Sequence, residues 1–290
     1  MVALDGSEKG ERALSVAIAL AELADAAIHL VRVIEPPSQR TGNQAELIGL
    51  DAWNAAGRPA VERQLAETAA GLTTRSGRAI SWEALDGADV SDTLTRVAEA
   101  RKARAVVMGT RAATDAGLAI VGSVADRVMR ECAQPVVLVP PGASDVKGRR
   151  LEIRRILLPL DGSALAAQAI DFVGALLRPT DLEFVLLEVV RNPRDVPFVG
   201  RPLALAADRL RERSALVRPQ VMIGGNAARE ITAAVREFLV DMIVMSTRGE
   251  GGLRRLVLGS VAEAVVRASD VPVLLLTPTM LAAQSRARAS

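Results

Sequence analysis

Two short stretches of this 290-residue chain combine residue types that could hold a ligand. The first is LDGS, at residues 4–7 and again at 160–163. Each copy ends an apolar run and precedes an alanine- and leucine-rich stretch of helical period. A carboxylate at a strand end, followed by glycine and serine at a helix start, suits ligand contact or N-capping. The second is STRGEGGLRRLVLGS, from Ser246. Gly249, Gly251 and Gly252 admit positive φ and a close backbone approach, and Gly259-Ser260 opens a helix. A helix start offers free N–H groups, a partial positive charge and here a hydroxyl, which suit an anionic oxygen such as a phosphate. Arg248 could add a charge-assisted bond. The same glycines would also serve an ordinary surface turn with Ser260 as an ordinary N-cap, and the loop alone leaves both readings open.

Other reactive residues point to structure rather than chemistry. The one histidine, His29 in AIHLVRVI, reads as a tolerated polar residue on an alternating strand. The one cysteine, Cys132, reads as a structural thiol near a helix end, since no second histidine exists to activate it. One Cys and one His exclude an internal disulfide and a multi-ligand Cys/His zinc site, and no metal ligands are assigned. No second carboxylate is spaced to form a dyad with Asp5 or Asp161, and no Walker lysine follows either loop. Half the chain is hydrophobic, with four Phe, two Trp and no Tyr, so the core must be aliphatic and stacking platforms for nucleic acid are disfavoured. The formal charge of +2 is scattered, without a nucleic-acid footprint. No run of about 18 apolar residues lacks charges, and the chain opens directly into strand-like sequence. The expectation is a cytoplasmic protein with no membrane span and no signal peptide.

The elements that position these residues occur twice. Asp5 matches Asp161 at an offset of 156, which holds through HLVRVI (29–34) against VLLEVV (185–190). Further on the offset is 137: Gly87 matches Gly224, Gly109 matches Ser246, and Gly122-Ser123 matches Gly259-Ser260. From 109 to 140 against 246 to 277, 11 of 32 positions are identical. The chain is therefore a tandem duplication, 1–143 and 151–280, joined by PPGASDVKGRR (140–150), with 19 extra residues between about 35 and 86 of the first copy. In the second copy strands are expected at 155–160, 183–190, 219–223, 241–246 and 272–278. Helices are expected at 164–177, near 203–216, at 227–239 and at 260–269. Met242 and Met245 read as core. The first copy reads alike, with a shorter first strand, MVAL. Alternating strands and helices imply a doubly wound, mostly parallel sheet whose ligands bind at the carboxyl ends of its strands.

Ser246, two residues, Gly249, nine residues, then Gly259-Ser260, followed by VAEAVV and PVLLL, resembles the nucleotide-binding signature of the universal stress protein family. VALDGS and LLPLDGS resemble its first strand and aspartate. The resemblance implies two tandem flavodoxin-like or Rossmann-like domains of the adenine nucleotide α-hydrolase-like type, each a five-stranded mostly parallel sheet with helices on both faces. It further implies ATP, with or without Mg2+, as ligand. In the second half Pro159, Leu160, Asp161 and Val189 would lie about the adenine. Ser246, Arg248, Gly249, Gly259, Ser260 and Val261 would hold the phosphates. In the first half the matching residues are Ala3, Leu4, Asp5, Val33, Gly109, Arg111, Ala112, Gly122, Ser123 and Val124. Ser246 replaces the signature's first glycine and Ala112 its second in the first copy. Alanine is disfavoured at 112 if that position needs positive φ, and Asp115 would repel phosphate, so the second half is expected to be the better site.

The implied function is an ATP-binding regulatory or protective protein of the stress response, not an enzyme, with at most weak ATPase activity. Alternatives are a scaffold with empty pockets, or a nucleotidyl or acyl transferase on the same fold. The terminal strands at 135–140 and 272–278 are apolar throughout and expected to pair antiparallel as an intramolecular pseudo-dimer, with a homodimer also open.

Overall fold

The computed structural model describes residues 1–35, 57–112, 119–141, 143, 151–176, 182–212, 216–247, 258–277 and 280. The first half runs β1 (Val2–Ala3), α1 (Glu8–Ala24), β2 (Ile28–Ile34), α2 (Arg58–Ser76), β3 (Ile80–Asp86), α3 (Val90–Ala100) and β4 (Val106–Gly109). A two-strand ribbon follows, β5 (Arg111–Ala112) with β6 (Ala119–Ile120), then α4 (Ser123–Glu131) and β7 (Val136–Val139). The second half runs β8 (Arg155–Leu160), α5 (Ala164–Leu176), β9 (Glu183–Val190), a 3-10 turn (Pro193–Asp195), α6 (Val196–Arg211), β10 (Leu216–Ile223), α7 (Ala227–Glu237), β11 (Met242–Ser246), α8 (Ser260–Ala268) and β12 (Val273–Leu276).

One ten-stranded sheet carries both halves, in the order β10-β9-β8-β11-β12-β7-β4-β1-β2-β3. Within each half the spatial order is 3-2-1-4-5 and all pairs are parallel, the Rossmann-type order of the two fold types expected. The terminal strands β7 and β12 pair antiparallel, Val137 facing Leu274. Strand residues are apolar on both faces because helices cover both. Ile156, Leu157 and Leu158 are all fully buried, and alternate residues enter different layers. Ile156 and Leu158 pack with Phe184, Leu186, Met242 and Val244; Leu157 packs with Val185, Leu187, Ile243 and Met245. Both layers run through β7 and β12, so each core is continuous across the joint.

Two elements differ most from the sequence expectation. The helix expected near 203–216 spans Val196–Arg211. Asn192 caps the preceding 3-10 turn by accepting from the Arg194 N–H at 2.9 Å, and the helix continues from it. Pro202, just ahead of the expected helix, lies inside the observed one on its exposed side, where water can serve the orphaned carbonyl. The strand expected at 219–223 starts at Leu216. It is the outermost strand of the second half, where Pro219 interrupts no ladder on its open side.

Candidate functional site

In the first half LDGS is a strand-to-helix turn. Leu4 continues β1 with its N–H on the Val31 carbonyl at 2.9 Å. Asp5 Oδ1 then accepts from the Ser7 N–H at 2.9 Å and from Ser7 Oγ at 2.6 Å. Ser7 Oγ in turn accepts from the Gly10 N–H at 3.0 Å and caps α1. Gly6 sits at φ 77°, a conformation costly for any residue with a Cβ. The second copy repeats the device: Asp161 Oδ1 accepts from the Ser163 N–H at 3.1 Å, Gly162 has φ 80°, and Ser163 Oγ accepts from the Ala166 N–H at 3.1 Å. The aspartate thus braces the cap residue, and the serine itself is the N-cap.

Strand order brings this turn beside the loop that leaves β4. β1 lies between β2 and β4, with Ala3 opposite Met108, so the carboxyl ends of β1 and β4 are neighbours at the point where the order reverses. Beyond Gly109, Thr110 donates to the Val139 carbonyl at 2.9 Å, and the chain returns through β6 to α4. The N-cap of α4 is Gly122, at φ −65° and ψ 156°, and no side chain caps the helix. Ser123 is its first helical residue, and the equivalent α8 starts the same way at Gly259 and Ser260. Ser260 is therefore not the N-cap that the bland sequence reading assigns. Both helices present first-turn N–H groups that side chains elsewhere, such as Ser7, Asp89 and Asn226, occupy. Asp89, the N-cap of α3, also ties that helix to α4. It accepts from Ser91 Oγ and the Asp92 N–H and pairs with Arg127 of α4 at 2.6 Å, and these bonds hold its carboxyl down to about 2.

A cavity of about 720 Å³ opens here in the first half. Eight of the ten residues expected in that half line it: Ala3, Leu4, Asp5, Val33, Gly109, Gly122, Ser123 and Val124. The other two, Arg111 and Ala112, form β5. Ala112 is thus in extended backbone, and the positive φ that would penalise its Cβ is not required. Asp115 lies outside the described residues. In the second half the same topology sets Pro159 and Leu160 beside Leu187 and Glu188, with Val189 following. Ser246 ends β11, and the Gly259 N–H donates to the Thr247 carbonyl at 2.7 Å. Val261 is partly exposed on the first turn of α8. Arg248 and Gly249 lie outside the described residues.

Two charged residues escape the sequence reading. Arg32 lines the first cavity and lies over the LDGS turn, where a Cβ on Gly6 would collide with its guanidinium. Its Nη1 donates to Gln64 Oε1 at 2.8 Å. The same position in the second half is Glu188, in register with Leu160. Burial, and then the charge of Asp161, push the Glu188 carboxyl above its usual range. The strand-end aspartate of the second half therefore does have a second carboxylate beside it, contrary to the sequence expectation, because cross-strand register pairs residues far apart in the chain. The signal was present in the repeat itself, since the offset of 156 sets Arg32 on Glu188.

The remaining reactive groups are engaged. His29 Nδ1 meets Ser81 Oγ at 2.8 Å and Nε2 meets Glu83 Oε1 at 2.7 Å; burial holds its imidazole below the ordinary range. Cys132 is buried, which raises its thiol, and its Sγ contacts Gln134 Oε1. Among the described residues no three His, Cys, Asp or Glu side chains gather as a metal site, and no helix is long and apolar enough to cross a membrane.

The two turn glycines give a paired prediction. Gly6→Ala and Gly162→Ala should each destabilise by about 1–2 kcal/mol through the left-handed backbone. Only Gly6→Ala should also displace a described side chain, since among the described residues nothing lies within 4 Å of the Cβ position at Gly162. Urea melts should show similar losses, while a crystal structure of Gly6→Ala should show Arg32 moved off the turn. An Arg32 left in place would contradict this packing.

The model of the universal stress protein family matches residues 1–140 and 152–277. A universal stress protein of Mycolicibacterium smegmatis is 27% identical over 296 residues, covering 96% of this chain and 96% of its own. One of Methanocaldococcus jannaschii is 32% identical over 140 residues, 42% of this chain and 80% of its own. A solved universal stress protein from Archaeoglobus fulgidus superposes with a TM-score of 0.69 at 20% identity, covering 94% of this chain and 97% of that one, a likeness of fold.

Proposed function

The chain belongs to the universal stress protein family, with one family domain in each half, and from that premise we propose that it binds an adenine nucleotide, ATP with or without Mg2+, as a cytoplasmic regulatory or protective protein rather than as an enzyme. The observation that carries this reading is the first-half cavity. Its volume of about 720 Å³ fits a nucleotide, since small-molecule sites run to roughly 300–1,000 Å³. Its walls divide by chemistry. Leu4, Val33 and Leu94 offer an aliphatic side for a base, while the uncapped start of α4 at Gly122, Ser123 and Val124 offers N–H groups for phosphate oxygens. The second half repeats these elements at Leu160, Val189 and Gly259–Val261. A regulatory role suits a chain whose imidazole is held between Ser81 and Glu83 and whose thiol is buried.

Mass spectrometry of ligand released from freshly purified protein, followed by titration calorimetry with ATP, tests the proposal. ATP at a hundred times its Kd should stabilise the fold by about 2.7 kcal/mol. Absence of heat and of any thermal shift with ATP, ADP, AMP and adenosine would overturn it in favour of the scaffold reading.

A further inference from the structure

We infer that the first half carries a second small-molecule site, at the end of the sheet opposite the LDGS turn, for a small apolar carboxylic acid. A cavity of about 360 Å³ opens there, where β1, β2, β3 and β4 begin and α1 ends. It shares no lining residue with the cavity at the LDGS turn, so it stands apart from the nucleotide reading. Its inner wall is aliphatic. Ala17, Leu20, Ala21 and Ala24 come from one face of α1 at helical spacing, and Ile28 and Val107 come from the sheet. Small side chains leave the room. The offset of 156 sets Val173 against Ala17, Leu182 against Ala26 and Phe184 against Ile28, and those three larger side chains are buried in the second half's core. Each exchange takes volume from this wall of the first half.

The solvent side of the cavity is basic. Arg101, Lys102 and Arg104 line it, and all three are exposed. Part of their charge is engaged. Arg101 Nε pairs with Glu83 Oε1 at 2.9 Å, and Arg104 Nη1 donates to the Ala24 carbonyl at the end of α1. The C-termini of α1 and α3 both lie at this end, each with about half a negative charge. Three cations set against Glu83 and two such termini leave an excess of about one positive charge. Asp25, which caps α1, faces Arg78 at 3.7 Å. His29 and Ser81, in the same wall, bond to each other at 2.8 Å. An alkyl wall beneath a basic rim suits a molecule that is apolar at one end and anionic at the other, its chain withdrawn from water and its carboxylate among the cations. At roughly 30 Å³ for each water-sized group, the cavity takes about twelve non-hydrogen atoms, the size of decanoate.

Titration calorimetry of the full 290-residue protein tests this with decanoate, below its micelle-forming concentration, and with decanol. Decanoate should saturate one site per chain. Lys102→Glu should weaken decanoate about fivefold to tenfold and leave decanol unchanged, and higher salt should weaken decanoate alone. Lys102 is exposed at φ 50°, so this exchange keeps the same backbone demand and the fold should persist. Ala26→Leu, which installs the side chain found at the matching position of the second half, should weaken decanoate and decanol alike by about tenfold. ATP affinity should be the same in both variants. Absence of decanoate binding, binding that neither variant moves, or displacement of decanoate by ATP would overturn the inference.

Discussion

Gly122→Glu is expected to weaken ATP binding in the first half by at least about a hundredfold while leaving the sheet intact. The fold should tolerate it, because Gly122 has φ −65° and ψ 156°, extended backbone open to any residue. The first helical backbone bond of α4, from the Asp126 N–H to the Gly122 carbonyl at 2.9 Å, does not involve the side chain. What changes is the anion site. The introduced carboxylate would reach the first-turn N–H groups that no side chain now caps, and would face phosphate with like charge. Hydrogen bonds to a charged group contribute about 1.5–3 kcal/mol each, so losing two exceeds about 3 kcal/mol, more than a hundredfold. Ser123→Ala removes one hydroxyl and leaves the backbone donors, so its loss should be about 0.5–1.5 kcal/mol, or somewhat more to a charged phosphate. Titration calorimetry with a thermal melt as control decides the matter. Unchanged affinity in a folded Gly122→Glu protein would mean that this helix start does not hold phosphate.

Val137→Asp should be the most damaging single change at the joint between the halves. Val137 is fully buried, pairs with Val107 on one side and Leu274 on the other, and belongs to a core layer that runs through both halves. A carboxylate there has neither water nor a cation, and removing a charge from water without a partner costs several kcal/mol. A loss above about 4 kcal/mol is expected, lowering the melting midpoint by on the order of 10 °C. Should this variant fail to accumulate, Leu274→Ala tests the same joint more gently. It leaves a cavity beside Val137 and should lose about 2–5 kcal/mol. Circular-dichroism melts give the answer, and a midpoint within about 2 °C of the parent for either variant would show that the joint contributes little.

Much of this architecture was legible in the sequence because it is local. RILLPL and EFVLLEVV are strands with the expected bounds, since an apolar run of that length buried on both faces has few other solutions. The repeat of LDGS, the Gly-Ser helix starts and the family signature needed only residue type and spacing. The terminal strands were expected to pair because each is apolar throughout, and they do. At Pro202 and Pro219 local reasoning began the expected helix and strand too late, seven and three residues after their observed starts at Val196 and Leu216. Exposure on a helix face and on an outer strand removed the penalty it assumed. The identity of the helix caps was also beyond it. Whether Ser123 and Ser260 cap or follow a glycine cap depends on the backbone path out of β4 and β11.

Which charges meet at the candidate sites is decided by the tertiary structure. Arg32 stands 27 residues from Asp5 in the chain, as Glu188 does from Asp161, and on sequence each is a polar residue in a strand. Parallel pairing of β1 with β2, and of β8 with β9, carries them to the ends of the same turns. Spacing along the chain reveals which groups exist. Only the register of one strand against the next decides which charges meet, and Coulomb interaction depends on that distance and on burial, not on sequence separation.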